Sequence, residues 1–310
     1  MIDFDHGISA IDTGFFRPQL DASHVIIERG RAAFIDCGTN YSIPRLLEAL
    51  QQKGLGVDAV DWLILTHVHL DHAGGAGLLM QQLPQAKLVV HPRGARHMID
   101  PSQLVAGATA VYGAEEIERS YGALVPVPAP RVIEAPDGHV VDLAGRALLC
   151  LDTPGHARHH LSIYDAASRA FFTGDTFGLS YREFDTAKGA FILPTSTPVQ
   201  FEPDALKASI ARMLEREPQQ MFLTHYSRVT DVARLARDLY VQIDAMVAIA
   251  RAHARDADRH TRIADDLADL YTSRAHAHGC TMDAAQIRAL LEMDIELNTQ
   301  GLEVWLDKSK

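Results

Sequence analysis

The residues of this 310-residue chain best suited to chemistry form one short run, His67-Val68-His69-Leu70-Asp71-His72. From the residue frequencies of the chain, a His-x-His-x-Asp-His pattern is expected by chance only about 0.002 times. Three imidazolium ions packed together would repel one another, whereas three neutral imidazoles and a carboxylate suit a divalent metal ion. The run therefore predicts a metal site, and a polar cluster on a surface loop is the competing interpretation.

Four donors in one segment cannot complete a site for two metal ions, so this interpretation requires further donors downstream. Three such residues each follow an apolar run: His156 after Ala147 to Leu151, Asp175 after Ala170 to Phe172, and His225 after Met221 to Leu223. Taken singly, each would suit a capping Asp or a hydrogen-bonded loop His. Because ligands of α/β proteins bind where strands end, the ordered series predicts that these donors join the first run.

The elements that would hold these donors alternate between strand-like and helix-like segments. The apolar run from Val60 to Leu65 is typical of a strand buried on both faces, and it ends just before His67. One β-rich block precedes residue 91 and a second runs from Arg131 to Phe172. Two such blocks with interleaved helices predict an α/β fold, a four-layer αββα sandwich of two packed sheets with helices outside.

Local patterns add finer predictions about the chain. Alternation along an extended segment would point His67, His69 and Asp71 to the same side. Residues 101–130 are predicted to be a loop. After residue 230 the apolar residues recur at helical spacing, with Asp231 as an N-cap and Gly279 near the last of about three helices. We therefore predict a catalytic domain over residues 1–230 and a helical C-terminal region over residues 231–310.

Four strings of the chain, T-H-V-H-L-D-H-A-G-G, T-P-G-H, T-G-D-T and L-T-H-Y, resemble the successive metal motifs of the metallo-β-lactamase superfamily hydrolases. The resemblance extends from about Ile8 to Tyr226, and its first motif is highly specific. It implies a dinuclear centre, with the following ligands: His67, His69 and His156 for one metal, Asp71, His72 and His225 for the other, and Asp175 as the bridge.

Within that superfamily the chain is more similar to the glyoxalase II and lactonase-like branch than to true β-lactamases. True β-lactamases are secreted and lack a bridging Asp at the position of Asp175, whereas this chain has the Asp and an N-terminus unlike a secretory signal. The helical C-terminal region also resembles that of glyoxalase II and of a thioesterase-like quinolone-signal response protein. Against glyoxalase II itself, its basic glutathione-binding residues have no match here, and the segment from Phe177 to Phe184 departs from its pattern.

The ligand set implies a mechanism of hydrolysis. Two divalent ions would activate a water molecule for attack on the carbonyl of a small ester, thioester or lactone, with Asp71 as the catalytic residue that orients the nucleophile or carries its proton. A further donor could come from Tyr181 or Tyr226, although packing is the more ordinary role for each. Nitrogen and oxygen donors favour Zn²⁺, and Fe or Mn would also fit.

Two other functions are compatible with the same residues. A di-iron or mononuclear-iron version could carry out redox chemistry on oxygen, nitric oxide or persulfides. Alternatively, the helical region could bind a ligand or partner while the metal site is mainly structural.

Composition restricts the partners. The formal net charge of −11 disfavours binding to nucleic acid or to an anionic membrane, and no apolar stretch approaches membrane-spanning length. The three cysteines, Cys37, Cys150 and Cys280, match no metal or redox spacing and suit a reducing compartment. We therefore expect a cytoplasmic enzyme acting on a small molecule, with homodimerisation through the helical region as a further expectation.

Overall fold

The structure is a computed structural model and describes residues 1–196 and 198–309, without the side chains of residues 111 and 112. The strands are β1 (Ile2–Asp3), β2 (Ile8–Asp12), β3 (Ala22–Glu28), β4 (Arg31–Ile35), β5 (Val60–Ile64), β6 (Lys87–Val90), β7 (Val132–Glu134), β8 (Val140–Leu143), β9 (Arg146–Asp152), β10 (Leu161–Asp165), β11 (Ala170–Gly174), β12 (Gln220–Leu223) and β13 (Ser227–Val229). The helices are α1 (Ile43–Gln52), α2 (Leu70–Ala73), α3 (Ala76–Gln82), α4 (Pro92–Ile99), α5 (Ser102–Tyr112), α6 (Ala114–Tyr121), α7 (Pro203–Leu214), α8 (Val232–Ala252), α9 (Arg259–His278), α10 (Ala284–Leu290) and α11 (Glu292–Lys308).

The strands form two sheets. The first has the order β1-β2-β3-β4-β5-β6-β7, antiparallel up to β4 and parallel from β4 to β7. The second has the order β13-β12-β11-β10-β9-β8 and is antiparallel from β8 to β11. In the parallel part, Ile35 lies opposite Ile64, and Ile64 lies opposite Val89. The carboxyl ends of β4, β5 and β6 therefore meet at one edge of the first sheet.

Apolar side chains on both faces of the first sheet explain its place in the core. One face packs on the second sheet through a buried cluster that includes Ile26, Ile35 and Ile64 on one side and Cys150 and Phe172 on the other. The opposite face packs on helices through a second buried cluster. Helix α1 belongs to this cluster because Ile43, Leu46 and Leu50 recur at helical spacing on its buried face. The predicted α/β class, with two sheets, flanking helices and C-terminal helices, is confirmed.

The chain divides into two compact units, each discontinuous in sequence. The first consists of Met1–Asp152, His159–Gly174 and Met221–Arg228, and it contains the first sheet and most of the second. The second consists of Thr153–Arg158, Asp175–Gln220 and Val229–Lys310, and it contains α7 to α11. The predicted division into a catalytic domain over residues 1–230 and a helical region over residues 231–310 stays a prediction, and residue 310 lies outside the described residues. No helix in the described part of the chain is long and apolar enough to cross a membrane.

Two local predictions are wrong, and a third is confirmed only in part. Residues 101–130, predicted as a loop, contain α5 and α6. Helix α5 was missed because it has no polar face that would mark it as an amphipathic helix. Four described helices rather than three follow residue 230: Gly279, at φ +100°, ends α9, and α10 and α11 come after it. Asp231 does precede α8, but it adopts a left-handed conformation and its side chain makes no capping hydrogen bond.

The position of strand β7 differs from what the two β-rich blocks suggest. Val132–Glu134 begins the second β-rich block of the sequence, yet it pairs in parallel with β6 in the first sheet. The second sheet therefore begins at β8.

Candidate metal centre

The run of metal-type residues lies where β5 ends and the short helix α2 begins. His67 follows the buried end of β5, and His69, in an extended conformation, is the residue before the first turn of α2. Asp71 and His72 lie inside that turn. The prediction that an extended segment points His67, His69 and Asp71 the same way is therefore wrong for Asp71, which a helical turn positions instead.

Asp36, at the end of β4, organises this edge of the sheet. Its Oδ1 accepts a hydrogen bond from the Thr66 backbone N–H at 2.7 Å. Its Oδ2 accepts from the Thr66 hydroxyl at 2.7 Å, from the Thr224 hydroxyl at 3.0 Å and from His72 Nδ1 at 2.8 Å. One carboxylate, only 1% exposed, thus connects the ends of β4, β5 and β12 to α2. The sequence interpretation missed this role, and the only available signal was an acidic residue directly after a buried strand.

Hydrogen bonds at Nδ1 determine which nitrogen of each imidazole faces the cluster. His72 Nδ1 lies 2.8 Å from Asp36 Oδ2, and His225 Nδ1 lies 3.0 Å from the carbonyl oxygen of Leu20. Because both partners are acceptors, Nδ1 of each neutral ring must carry the proton, and the lone pair is left on Nε2. Both Nε2 atoms face Asp71 Oδ2, at 3.6 Å for His72 and 3.4 Å for His225.

His67 follows the same logic. The Thr66 hydroxyl donates to Asp36, so its oxygen accepts from His67 Nδ1 at 3.2 Å. The lone pair of His67 is therefore on Nε2, which lies 2.9 Å from His69 Nδ1. The His67 and His72 rings are 4.0 Å apart between centroids, so these histidines belong to one cluster.

The first unit thus brings together five of the seven predicted ligands. One donor atom from each of Asp71, His72 and His225 lies within 4.8 Å of the other two, close enough to share one metal ion. The set consists of Nε2 of His72, Nε2 of His225 and a carboxylate oxygen of Asp71. Hydrogen bonds at Nδ1 orient the two rings, and the turn of α2 positions the carboxylate. Such neutral and anionic donors fit a divalent cation.

The second unit positions the remaining two predicted ligands beside each other. His156 Nε2 lies 3.4 Å from Asp175 Oδ2, and both side chains are buried. Gly155, at φ +132°, allows the His156 turn to pack on α7, because a Cβ there would lie 2.3 Å from the Leu206 backbone nitrogen. The Glu202 N–H also donates to the Gly155 carbonyl oxygen at 2.8 Å.

Other polar groups surround the cluster in the first unit. His160 is buried, and its ring stacks on that of His67 with 4.8 Å between the centroids. His159 is only 8% exposed, and burial lowers the pKa of its imidazole to about 3. His91 is buried and accepts from the Arg93 N–H at the start of α4. Burial raises the pKa of Asp21, which accepts from the Thr13 hydroxyl, to about 7.

The two tyrosines considered as extra donors have other partners. The Tyr181 hydroxyl donates to the buried Asp294 carboxylate at 2.9 Å. Tyr226 is buried in a small apolar cluster with Ala10 and Ala22. These contacts favour the packing role for both.

Cys37 lies next to Asp36 but does not offer a thiolate. Burial raises the pKa of its thiol well above the usual value, and the S–H donates to the His72 carbonyl oxygen at 3.4 Å. Cys150 is also buried, and Cys280 is partly exposed. The donors of the cluster are therefore nitrogen and oxygen.

Comparisons with known proteins identify relatives of this chain. A metallo-beta-lactamase fold-containing protein of Sulfurisphaera tokodaii is 27% identical over 224 residues, which are 71% of this chain and 77% of that protein. A hydroxyacylglutathione hydrolase of Acidiphilium cryptum is 27% identical over 253 residues, which are 79% of this chain and 82% of that protein. The crystal structure of an archaeal metallo-beta-lactamase superfamily protein from Sulfolobus tokodaii has the same fold, with a TM-score of 0.67, 23% identity and coverage of 96% of this chain and 98% of that one.

The family model described as the metallo-beta-lactamase superfamily matches residues 20–253, most of the chain and all of the motifs that carry the candidate ligands. The resemblance inferred from the four motifs is thereby confirmed. This chain belongs to the metallo-beta-lactamase superfamily.

Proposed function

We propose that this protein is a metal-dependent hydrolase whose dinuclear centre cleaves a small ester, thioester or lactone. The observation that carries the proposal is the cluster of Asp71, His72 and His225, in which two Nε2 lone pairs and one carboxylate oxygen face one another. Membership of the superfamily supports metal-dependent hydrolysis. The similarity to a hydroxyacylglutathione hydrolase, a protein named for removing an acyl group from glutathione, supports attack on an acyl carbonyl.

The proposed ligand set is the one that the motifs imply: His67, His69 and His156 for one metal, Asp71, His72 and His225 for the other, and Asp175 as the bridge. It is supported by the grouping of five of these residues in the first unit and by the 3.4 Å separation of His156 and Asp175 in the second. Zn²⁺ suits a nitrogen and oxygen donor set, as do Fe and Mn. When bound, the metal ions would supply a polarised carbonyl and a water of lowered pKa.

The chain itself provides orientation and proton transfer. Asp36 and the Leu20 carbonyl hold His72 and His225 in the tautomer that has its lone pair on Nε2. The Asp71 side chain is 24% exposed while that of His72 is fully buried, so solvent reaches the cluster at the carboxylate. This exposure supports the proposed role of Asp71, which is to orient an incoming water molecule and to accept its proton.

Metal quantification combined with a substrate screen tests this proposal. We expect two divalent ions per chain in the purified full-length protein, and hydrolysis of thioesters, esters or lactones in a panel that also contains phosphoesters. Asp71→Ala should lower kcat/KM by at least about 100-fold, the scale of lost general acid–base assistance. Asp269→Ala, which removes an exposed carboxylate on α9, should leave the rate unchanged.

Two outcomes would contradict the proposal. Iron as the dominant metal, with no acyl hydrolysis, would favour the redox alternative. Full activity of the folded Asp71→Ala variant would favour a structural role for the metal site.

A further inference from the structure

A groove of about 410 Å³ lies in the first unit, a volume within the range of small-molecule sites. Three segments line it: the loop from β2 to β3, the segment that leads from β4 into α1, and the end of α6. Its lining residues are Thr13, Gly14, Phe15, Phe16, Thr39, Tyr41, Arg45, Arg119 and Ser120. None of these residues is a candidate metal ligand, so the groove requires a separate explanation.

Two aromatic side chains in the groove are presented to solvent. Phe16 is 56% exposed and Tyr41 is 58% exposed. Phe16 also has φ +49°, a left-handed conformation that is rare for a bulky residue and that persists only where the surroundings enforce it. A single exposed aromatic is ordinary on a protein surface, but a strained backbone that turns a ring outward into a concavity indicates a binding role.

The loop that carries Phe16 is held in place at both ends. The Asp12 carboxylate accepts from the Gly14 N–H at 2.9 Å and from the Gln19 N–H at 3.3 Å. The Thr13 hydroxyl donates to Asp21 at 3.1 Å. Across the groove, the Tyr41 hydroxyl donates to the Glu118 carbonyl oxygen at 2.9 Å. The aromatic rings therefore stand on an ordered framework.

The groove is also lined by Arg45, which forms no ion pair with any residue that the structure describes. The guanidinium of Arg45 lies against Gly14, where a Cβ would come within 2.7 Å of its Cζ and Nε atoms, so only a glycine leaves room for it. Its one hydrogen bond within the described residues is a long contact of 3.5 Å to the Asp12 carbonyl oxygen. Arg119, by contrast, is paired with Glu116. The groove thus holds one positioned positive charge that makes no ion pair within the described residues, on a chain of net charge −11.

Both walls of the groove continue into backbone that holds candidate metal ligands. The loop from β2 to β3 ends at Leu20, whose carbonyl oxygen accepts from His225. On the other wall, the Cys37 N–H donates to the His72 carbonyl oxygen at 2.9 Å, two residues before Thr39. A molecule in the groove therefore lies beside the segments that position the metal centre.

We propose that this groove binds the part of the substrate away from the scissile carbonyl, and that this part is a flat apolar body carrying an anionic group. Arg45 pairs with the anion, and Phe16 and Tyr41 pack against the apolar body. As a specificity site for hydrolysis, the proposal rests on the proposed function. The binding itself does not depend on that function and is tested separately.

Calorimetry on the full-length protein as purified can isolate each contribution. The probes are 4-carboxyphenylacetamide and phenylacetamide, which differ only in the carboxylate and are not esters. We expect the first to bind about tenfold more tightly or better, because a hydrogen bond to a charged group contributes on this scale. Arg45→Gln should abolish that preference and leave phenylacetamide binding unchanged, whereas Phe16→Ala should weaken both probes.

Arg237→Gln, which removes an exposed arginine from α8, is the matched control and should change neither affinity. A carboxylate that binds only at the metal centre would keep its preference in Arg45→Gln, and that result would overturn the proposal. Equal affinity of the unmodified protein for the two probes would also overturn it.

A kinetic comparison separates this proposal from the proposed function. The N-acetylcysteamine thioesters of 4-carboxyphenylacetic and phenylacetic acid should differ about tenfold in kcat/KM, through Arg45. Hydrolysis of both thioesters at equal rates, with no effect of Arg45→Gln, would refute the groove and leave the hydrolase intact. Arg45-dependent binding, together with no hydrolysis of these thioesters or of any ester, thioester or lactone in the substrate panel, would support the groove and refute the hydrolase.

Discussion

Replacing Asp36 by Asn tests the most specific feature of the candidate centre, the carboxylate that orients His72. Asp36 accepts four hydrogen bonds, three of them at Oδ2. An amide oxygen can occupy only one of the two positions. If it replaces Oδ2, the new NH₂ group opposes the Thr66 N–H. If it replaces Oδ1, the NH₂ group faces His72 Nδ1 and forces the proton onto Nε2, which then cannot bind a metal.

The expected cost follows from these two arrangements. In the less damaging one, a charge-assisted hydrogen bond is lost and a buried N–H is left opposite another donor, which should lower the free energy of unfolding by about 2–4 kcal/mol. Metal affinity should fall about 10–100-fold, as for other groups that orient a metal-binding histidine. Urea denaturation in the presence of a chelator measures the first effect, and competition with a chromophoric chelator measures the second.

Asp61→Asn is the matched control, because Asp61 makes its ion pair with Arg31 near the surface. This control should change stability by no more than about 1 kcal/mol and leave metal affinity unchanged. The same stability and metal affinity in Asp36→Asn as in Asp61→Asn would refute the role assigned to Asp36.

Three other predictions address the rest of the chain. Gly155→Ala should lower the free energy of unfolding by more than about 1 kcal/mol, because the φ of +132° and the contact with α7 exclude a Cβ. Gly56→Ala, which has open space around it, should not. Thermal denaturation compares the two variants, and equal stability would contradict the prediction. Burial alone would raise the pKa of Asp165, but hydrogen bonds led by those from Arg146 lower it. Asp165→Asn should therefore destabilise the protein at pH 7, by an amount that shrinks as the pH falls below about 4. A difference in stability that urea titrations show to be independent of pH would contradict this prediction. In the native protein a thiol reagent should react with Cys280 first and with the two buried cysteines only after denaturation, and simultaneous reaction of all three would contradict their burial.

An element with a strong local pattern could be predicted closely. The apolar run from Val60 to Leu65 predicted a strand that ends just before His67, and β5 (Val60–Ile64) ends one residue earlier than that run. Helix α5 was missed because its sequence has no polar face to contrast with an apolar one. Strand β7 lies in the second β-rich block but belongs to the first sheet. The sequence did not indicate this, because strand pairing depends on contacts between distant segments, in this case with β6.

For the candidate centre, the sequence alone determined the identity and order of the donors, because the preference of imidazole and carboxylate for divalent metal is a property of the side chains themselves. Only the tertiary structure decided how these donors are held. Asp71 reaches its position through a helical turn rather than an extended segment. The partner of His72 is 36 residues away and that of His225 is 205 residues away. Since the proton of a neutral imidazole goes to the nitrogen that finds an acceptor, these long-range contacts determine which nitrogen keeps the lone pair that the proposed metal would need.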